Sequence, residues 1–407
     1  MHTLRQMLHN ELHARPSLYF EEPAHVYHLA FIGNRQSCQA LVENLCKSLI
    51  DAHAGQGISS LCGHPFKWEL HAEFFTLTWV VPCEDSSQGW TSLPAELSAA
   101  TRPYLQQLIN SVQIKVQCQS CDEGALEISG FEDPCASHIG GKDAVVWSDF
   151  KLCDDGTNRF LVINENLNAY RQGRMIRRLL EIETYRMMAS LCLPIAREVS
   201  DQLAGFENKL VHLSERNADL KAGQAQTLLA DITALSADVV RATAKHRQRF
   251  SATQAYAQLV FERLEELRES HVEGYQRLGV FIERRFRPTV RYCAATEQRL
   301  ENLAKSVANL SDLLLARVQV EMEEQNSEIL KSLNARADSQ VKIQHAVEGL
   351  SIIAITYYLL NLFKMSYMGL HELGMDVAAK TAMMFMSPFA LAALLLILLR
   401  IRKAKRM

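Results

Sequence analysis

Two apolar segments near the C-terminus most narrow what this chain can fold into. Gly349–Phe363 is uncharged and mostly apolar, and continued past Lys364 to Leu370 it approaches the roughly 20 residues that cross a bilayer. Thr381–Ile401 reaches that length with Arg400 as its one charge, and Leu391–Leu399 is its most apolar part. Together they predict a two-span transmembrane helical hairpin with an outer turn at His371–Lys380. Arg400, Arg402, Lys403, Lys405 and Arg406 crowd the tail. Basic flanks stay on the cytoplasmic side, so both termini are expected in the cytosol and the protein in the inner (plasma) membrane. A competing reading makes Gly349–Leu370 a buried or interfacial helix and leaves one span.

The segment before the hairpin carries no Gly or Pro from Thr289 to Glu348, which predicts a continuous helix of roughly 90 Å. Leu300, Leu303, Val307, Leu310 and Leu314 form a coiled-coil-like seam that the polar run Glu321–Asn326 interrupts. Such a rod needs partners, either an intramolecular bundle or further copies in a homo-oligomer. Upstream, Leu203, Phe206, Leu210 and Leu213 step by three and four residues, as do Leu228, Ile232, Leu235 and Val239, which predicts helices with one apolar stripe each. Arg287-Pro288 reads as a turn between two long helices.

Before Gln172 the texture is α/β. Val26–Ile32, Trp68–Val81, Val112–Cys118, Ala144–Leu152 and Arg159–Ile163 read as strands, and Gln36–Ala52 and Pro94–Asn110 as helices. Asp154-Asp155-Gly156 tolerates positive φ and predicts a hairpin between the last two strands. The expected organisation is a cytoplasmic α/β domain at 1–170, a long helical bundle and stalk at 171–348, and the hairpin with its basic tail at 349–407.

Composition sets limits on partners. With 48% hydrophobic and 22% charged residues the chain is not of disordered type. The net charge is −3 and the basic residues gather at the C-terminus, which favours anionic lipid over nucleic acid. His2, Arg5, His9, Glu11, His13 and Arg15 stand where a secretory signal needs an apolar core. Ten irregularly spaced cysteines suit reduced thiols, and structural disulfides are not expected.

Four blocks carry a family resemblance: Asn10-Glu11-Leu12-His13-Ala14-Arg15-Pro16, Trp68-Glu69-Leu70-His71-Ala72-Glu73-Phe74, Arg178-Leu179-Leu180-Glu181-Ile182-Glu183-Thr184-Tyr185-Arg186 and Val347-Glu348-Gly349-Leu350-Ser351. They resemble an uncharacterised bacterial family of membrane-anchored proteins, a DUF3422-like domain of unknown function, over nearly the whole chain. The order of α/β body, stalk, span, outer turn, span and basic tail is also similar to CorA-type magnesium channels. Their outer tripeptide is Gly-Met-Asn, where this chain has Gly374-Met375-Asp376. An outward Asp376 could concentrate cations, and Thr356, Tyr357 and Tyr358 would face a pore or contact a neighbouring helix.

Cys118-x-x-Cys121 and Cys135-x-x-His138 have the ligand types of a four-coordinate zinc site, against the alternative of free thiols and a surface histidine. No other cofactor is expected. His13 and Arg15 could hold a small anion or dock an N-terminal arm, with Glu73, Glu181 or Glu183 as partners. Arg178 and Glu181 share a helix face, and His71 and Glu73, read as alternating along a strand, face one side. No phosphate loop, nucleophile elbow or His-Glu-x-x-His helix is present, so no enzyme class gains support. Two functions are expected to compete. One is a homo-oligomeric, CorA-like protein mediating or regulating cation transport. The other is a membrane-tethered scaffold or sensor whose α/β domain binds a protein or small anion.

Overall fold

The computed structural model describes residues 17–372 apart from 22, 47–54, 84–88, 119–128 and 220–222, with scattered positions before 17 and after 379. Nine strands form one mixed sheet in the order β2-β3-β4-β1-β5-β8-β7-β6-β9. They are β1 (Ala24–Ile32), β2 (Gln56–Leu61), β3 (His64–Leu70), β4 (Phe74–Pro82), β5 (Leu108–Cys118), β6 (Cys135–Ile139), β7 (Ala144–Ser148), β8 (Asn158–Asn164) and β9 (Ser270–His271). β5 and β8 pair in parallel, and the other pairings are antiparallel. The hairpin predicted around Asp154-Asp155-Gly156 joins β7 to β8, with Gly156 at φ 75°.

Strand alternation divides the sheet into two faces. Tyr27, Leu29, Phe31, Phe75, Leu77 and Trp79 point to one face and pack against α1 (Arg35–Cys46) and α2 (Ala95–Thr101). The opposite face presents Val26, Val80, Ile114 and Val162 to α3 (Ala169–Ser190), whose Ile176, Leu179, Leu180 and Met188 are buried there. Helix α3 begins where the Asn168 side chain accepts the backbone N–H of Arg171, a capping bond worth about 1 kcal/mol.

Helices α4 (Cys192–Ala218), α5 (Ala225–Glu266) and α6 (Leu278–Glu372) complete the described structure. The break before α4 falls at Leu191, leaving Pro194 in the first turn, where its missing N–H costs little. The three predicted apolar stripes share one cluster: Leu203 and Leu213 of α4, Leu228 and Ile232 of α5, and Leu300 and Leu314 of α6. The chain divides into two compact units. One is Met1–Leu220 with Gln226–Leu314, and the other is Lys221–Ala225 with Leu315–Met407.

Several expectations are corrected. The expected continuity of stalk and first apolar segment is found, Gly349–Leu370 lying within α6, a helix of 95 residues, but the two-span hairpin is not. Among the described residues one helix, its stretch Leu278–Gly369, is long and apolar enough to cross a membrane, with mean hydropathy 1.5 over its best 18 residues. Eleven of the 21 residues of the second expected span, Thr381–Ile401, lie outside the described residues. Pro288 does not end a helix but sits inside α6. Ile282 and Phe286 before it and Val290 after it pack against the sheet core, so tertiary burial outweighs the backbone bond that proline removes. Trp68–Val81 is two strands rather than one, because the chain turns at His71–Glu73. The expected helix Pro94–Asn110 ends as a 3₁₀ turn at Arg102–Gln107, and β5 begins at Leu108.

Candidate functional site

On the α3 face of the sheet, the register aligns a cross-strand row of Val112, His28, Thr78 and Lys67, and beside it Asn110, Ala30, Thr76 and Glu69. A polar patch therefore lies beneath α3, among the apolar residues Ile176 and Leu180 that the helix buries there. Between this patch and α3 is a cavity of about 40 Å³, lined among others by Ser17, Lys67, Glu69, His71, Arg177 and Glu181. That volume holds a few waters or a small anion.

Lys67 is 4% exposed, and its Nζ lies 3.0 Å from Glu69 Oε1. Burial lowers the Lys67 pKa, and the Glu69 carboxylate opposes that shift. Glu69 is the one ion-pair partner of Lys67 among the described residues, and the Glu181 carboxylate also favours its charged form. His28 is fully enclosed, with Nδ1 2.8 Å from Thr78 Oγ1 and Nε2 3.0 Å from Thr184 Oγ1. Its pKa is lowered to about 3 by burial first, then by the charges of Lys67 and His71. The ring is neutral at neutral pH, donating at one nitrogen and accepting at the other. Thr184 also accepts a 3.3 Å bond from Asn110 Nδ2, which extends the network to β5.

Glu181 forms the α3 side of the wall. It accepts from Arg177 Nε at 2.6 Å and from Arg263 Nε of α5. Arg263 also donates to Glu266, which takes a 2.9 Å bond from Arg178 Nε. Arg178 thus faces α5, and Arg177 is the arginine that bonds Glu181. His71 stacks on Phe74 with ring centroids 4.1 Å apart and meets Tyr185 edge-on at 6.3 Å. His71 and Glu73 stand in the β3–β4 turn rather than alternating along a strand. Glu73 receives both terminal nitrogens of Arg249, at 2.8 and 3.0 Å, which fastens the turn to α5.

The lip of the cavity comes from Ser17–Phe20. Gln172 Nε2 donates to Phe20 O at 3.1 Å, and Tyr19 and Tyr170 pair at 4.5 Å. A Cβ on Gly173 would lie 2.0 Å from the Leu18 carbonyl oxygen, so glycine is what allows this segment to lie on α3. His13 and Arg15 lie outside the described residues.

Glu183 belongs to a different place. It is wholly buried and accepts from Asn158 Nδ2 at 2.8 Å and from Arg186 Nε and Nη2 at 2.9 and 2.7 Å. Thr356 bonds its own helix at Ile352 O, and Tyr357 and Tyr358 are exposed. Asp376 is outside the described residues.

The described members of the Cys118, Cys121, Cys135 and His138 set are not brought together. Register places Cys118 in the row of Asn164, Ala144 and Ile139, so three strand spacings, about 14 Å, separate it from β6. Cys135 and His138 fall on opposite faces of β6, and Cys121 is outside the described residues. Among the described residues no group of three or more His, Cys, Asp or Glu side chains could hold a metal ion.

Sequence reasoning pointed to Glu73 and Glu181 but passed over Lys67, His28, Arg177, Arg249 and Arg263. One signal was available: Lys67 is a charge between Phe66 and Trp68 in a strand whose neighbours are apolar. A family model described as protein of unknown function (DUF3422) matches residues 1–405. No curated protein and no solved structure matches.

Proposed function

The chain belongs to the DUF3422 family, and from that premise we propose that it is a membrane-associated sensor whose sheet domain takes a small anion into the cavity at Lys67. The observation that carries the proposal is a buried ammonium that lines a cavity of anion size and has Glu69 as its one ion-pair partner among the described residues. Two blocks of the family resemblance, at 68–74 and 178–186, supply Glu69, His71 and Phe74 from one side and Glu181, Thr184 and Tyr185 from the other. Ser17, next after a third block, lies at the same cavity. Lys67 and Arg177 would hold the ligand's charge, and Glu69 and Glu181 would set the orientation of those cations. The apolar stretch of α6 provides the membrane attachment. The cation path of a CorA-like plan is no part of this proposal, since its premise was a hairpin of two spans.

The test is thermal unfolding and calorimetry on the full chain in detergent with acetate, inorganic phosphate and sulfate as probes. Stabilisation should follow ligand concentration, reaching about 2.7 kcal/mol at a hundredfold excess over Kd. Lys67→Met combined with Glu69→Gln removes the pair without stranding either charge, and should abolish the effect. If no probe stabilises the native chain, or the double variant responds as the native chain does, the reading fails.

A further inference from the structure

The part of α6 beyond Leu314 poses a separate question, because the apolar seam predicted for it is not the one left open. Leu300, Leu303, Val307, Leu310 and Leu314 are consumed inside the protein against α4 and α5. After them six exposed apolar residues of α6 follow a different phase, with Val320, Leu330 and Val341 lying off it. Met322, Ile329, Ile343 and Leu350 recur at multiples of seven, and Leu333 and Val347 lie four residues after Ile329 and Ile343. Continuing the inner seam from Leu314 by seven leads to Glu321, one residue out of step with Met322. The outer seam is therefore a second stripe and not the remainder of the first.

All six of these side chains are more than half exposed. With Met322 at position d of a heptad, the a positions are Asn326, Leu333, Gln340 and Val347, and the d positions continue through Ile329, Arg336, Ile343 and Leu350. Charge follows the same frame. From Glu324 to Glu348 every Asp, Glu, Lys and Arg except Arg336 falls at b, c or f, with Glu324, Lys331 and Asp338 at f. The flanking e and g positions between Gln325 and Ala346 are uncharged, among them Ser332, Ala337, Ser339 and Ala346.

We propose that this stripe is the interface with a second copy of the same chain, forming a parallel two-stranded coiled coil over Met322–Leu350. Glu323 is the one charge at e or g between Met322 and Leu350, so identical copies meet with little repulsion there. Asn326 at an a position suits a paired, in-register asparagine, which favours two parallel strands. The apolar run that follows in the same helix sets direction, since helices entering one membrane from one side lie parallel. Burial of six such side chains on each copy amounts to on the order of 1,200 Å² in total, the lower end of stable interfaces. Arg336 at d is the one charged core residue and Gln340 at a is a further polar one, and together they keep the association reversible.

The experiment uses the full chain with its membrane segment intact. Light scattering on the detergent-solubilised protein should give a dimer, and Ile329→Lys with Ile343→Lys a monomer whose tryptophan emission and circular dichroism match the native chain. Arg336→Leu should lower the dissociation concentration about tenfold or more. In membranes, Ile343→Cys should cross-link between copies above the native cysteine background, and Lys331→Cys should not. A monomer at every concentration, a dimer that survives both lysines, or cross-linking at Lys331→Cys as strong as at Ile343→Cys would overturn the proposal.

Discussion

Burial of His28 gives the sheet a calculable sensitivity to acid. Its pKa is lowered from 6.5 to about 3, by burial foremost. In the unfolded chain the ring returns to about 6.5. Between those two values the unfolded state binds a proton that the folded state refuses, so stability falls as pH drops. Above the unfolded value the contribution is intact, and it is fully lost below the folded one. At about pH 4.5, two units below the unfolded value, the loss is about 2.7 kcal/mol. His25, lowered to about 4 by burial and Lys115, adds a loss of the same sign, so the informative quantity is a difference between proteins. His28→Gln retains an amide donor and acceptor for Thr78 and Thr184 but does not titrate. Urea unfolding of the full chain in detergent, followed through Trp68, Trp79, Trp90 and Trp147, reads the sheet domain directly. Between about pH 6 and 4 the native chain should lose about 1.4 kcal/mol per pH unit more than the variant. Parallel pH dependences for the two proteins would refute a neutral His28 held beneath α3.

Three further outcomes follow from the same geometry. Gly173→Ala gains about 1 kcal/mol of intrinsic helix propensity, yet its Cβ would lie 2.0 Å from Leu18 O; a net loss of about 1–3 kcal/mol is expected in urea unfolding, and a more stable variant would show that the lip is not seated on α3. Glu73→Gln leaves Arg249, 15% exposed, without its carboxylate, and should cost about 2 kcal/mol; Arg249→Met combined with it should recover part of that loss. Treatment with a chelator should leave the unfolding midpoint unchanged, because three strand spacings separate Cys118 from β6; a fall of several degrees would restore the zinc reading.

The strand and helix patterns that were legible in the sequence are those where side-chain period and burial agree. β1 is legible because eight of its nine residues, Ala24–Phe31, are buried without a break. The stripes of α4, α5 and α6 read because each has one partner direction. Pro288 misled because a local rule about one backbone bond was weighed without the packing of Ile282, Phe286 and Val290. The zinc spacing misled for a topological reason: the β7–β8 hairpin inserts between β5 and β6, and separation in sequence carries no record of strand order. Lys67 and His28 were hidden because their meaning depends on cross-strand register, which aligns residues some forty positions apart in a single row.

The cavity and the start of α6 share a packing environment within the sheet unit. Ile176 and Leu180, on the helix that roofs the cavity, belong to the same buried cluster as Leu278, Ile282 and Phe286 at the start of α6. Glu181, in the cavity wall, is tied to Arg263 near the end of α5, and the chain enters α6 twelve residues after Glu266. An anion that drew Arg177 or Lys67 toward itself would therefore alter the charge balance at Glu181 and, through Arg263, the support of the segment from which α6 departs. A sensor needs such a connection between ligand and output. In the proposed reading it would consist of one shared carboxylate and one apolar cluster, both interior to the unit, so that occupancy of the cavity and the seating of the first turns of α6 would draw on the same contacts.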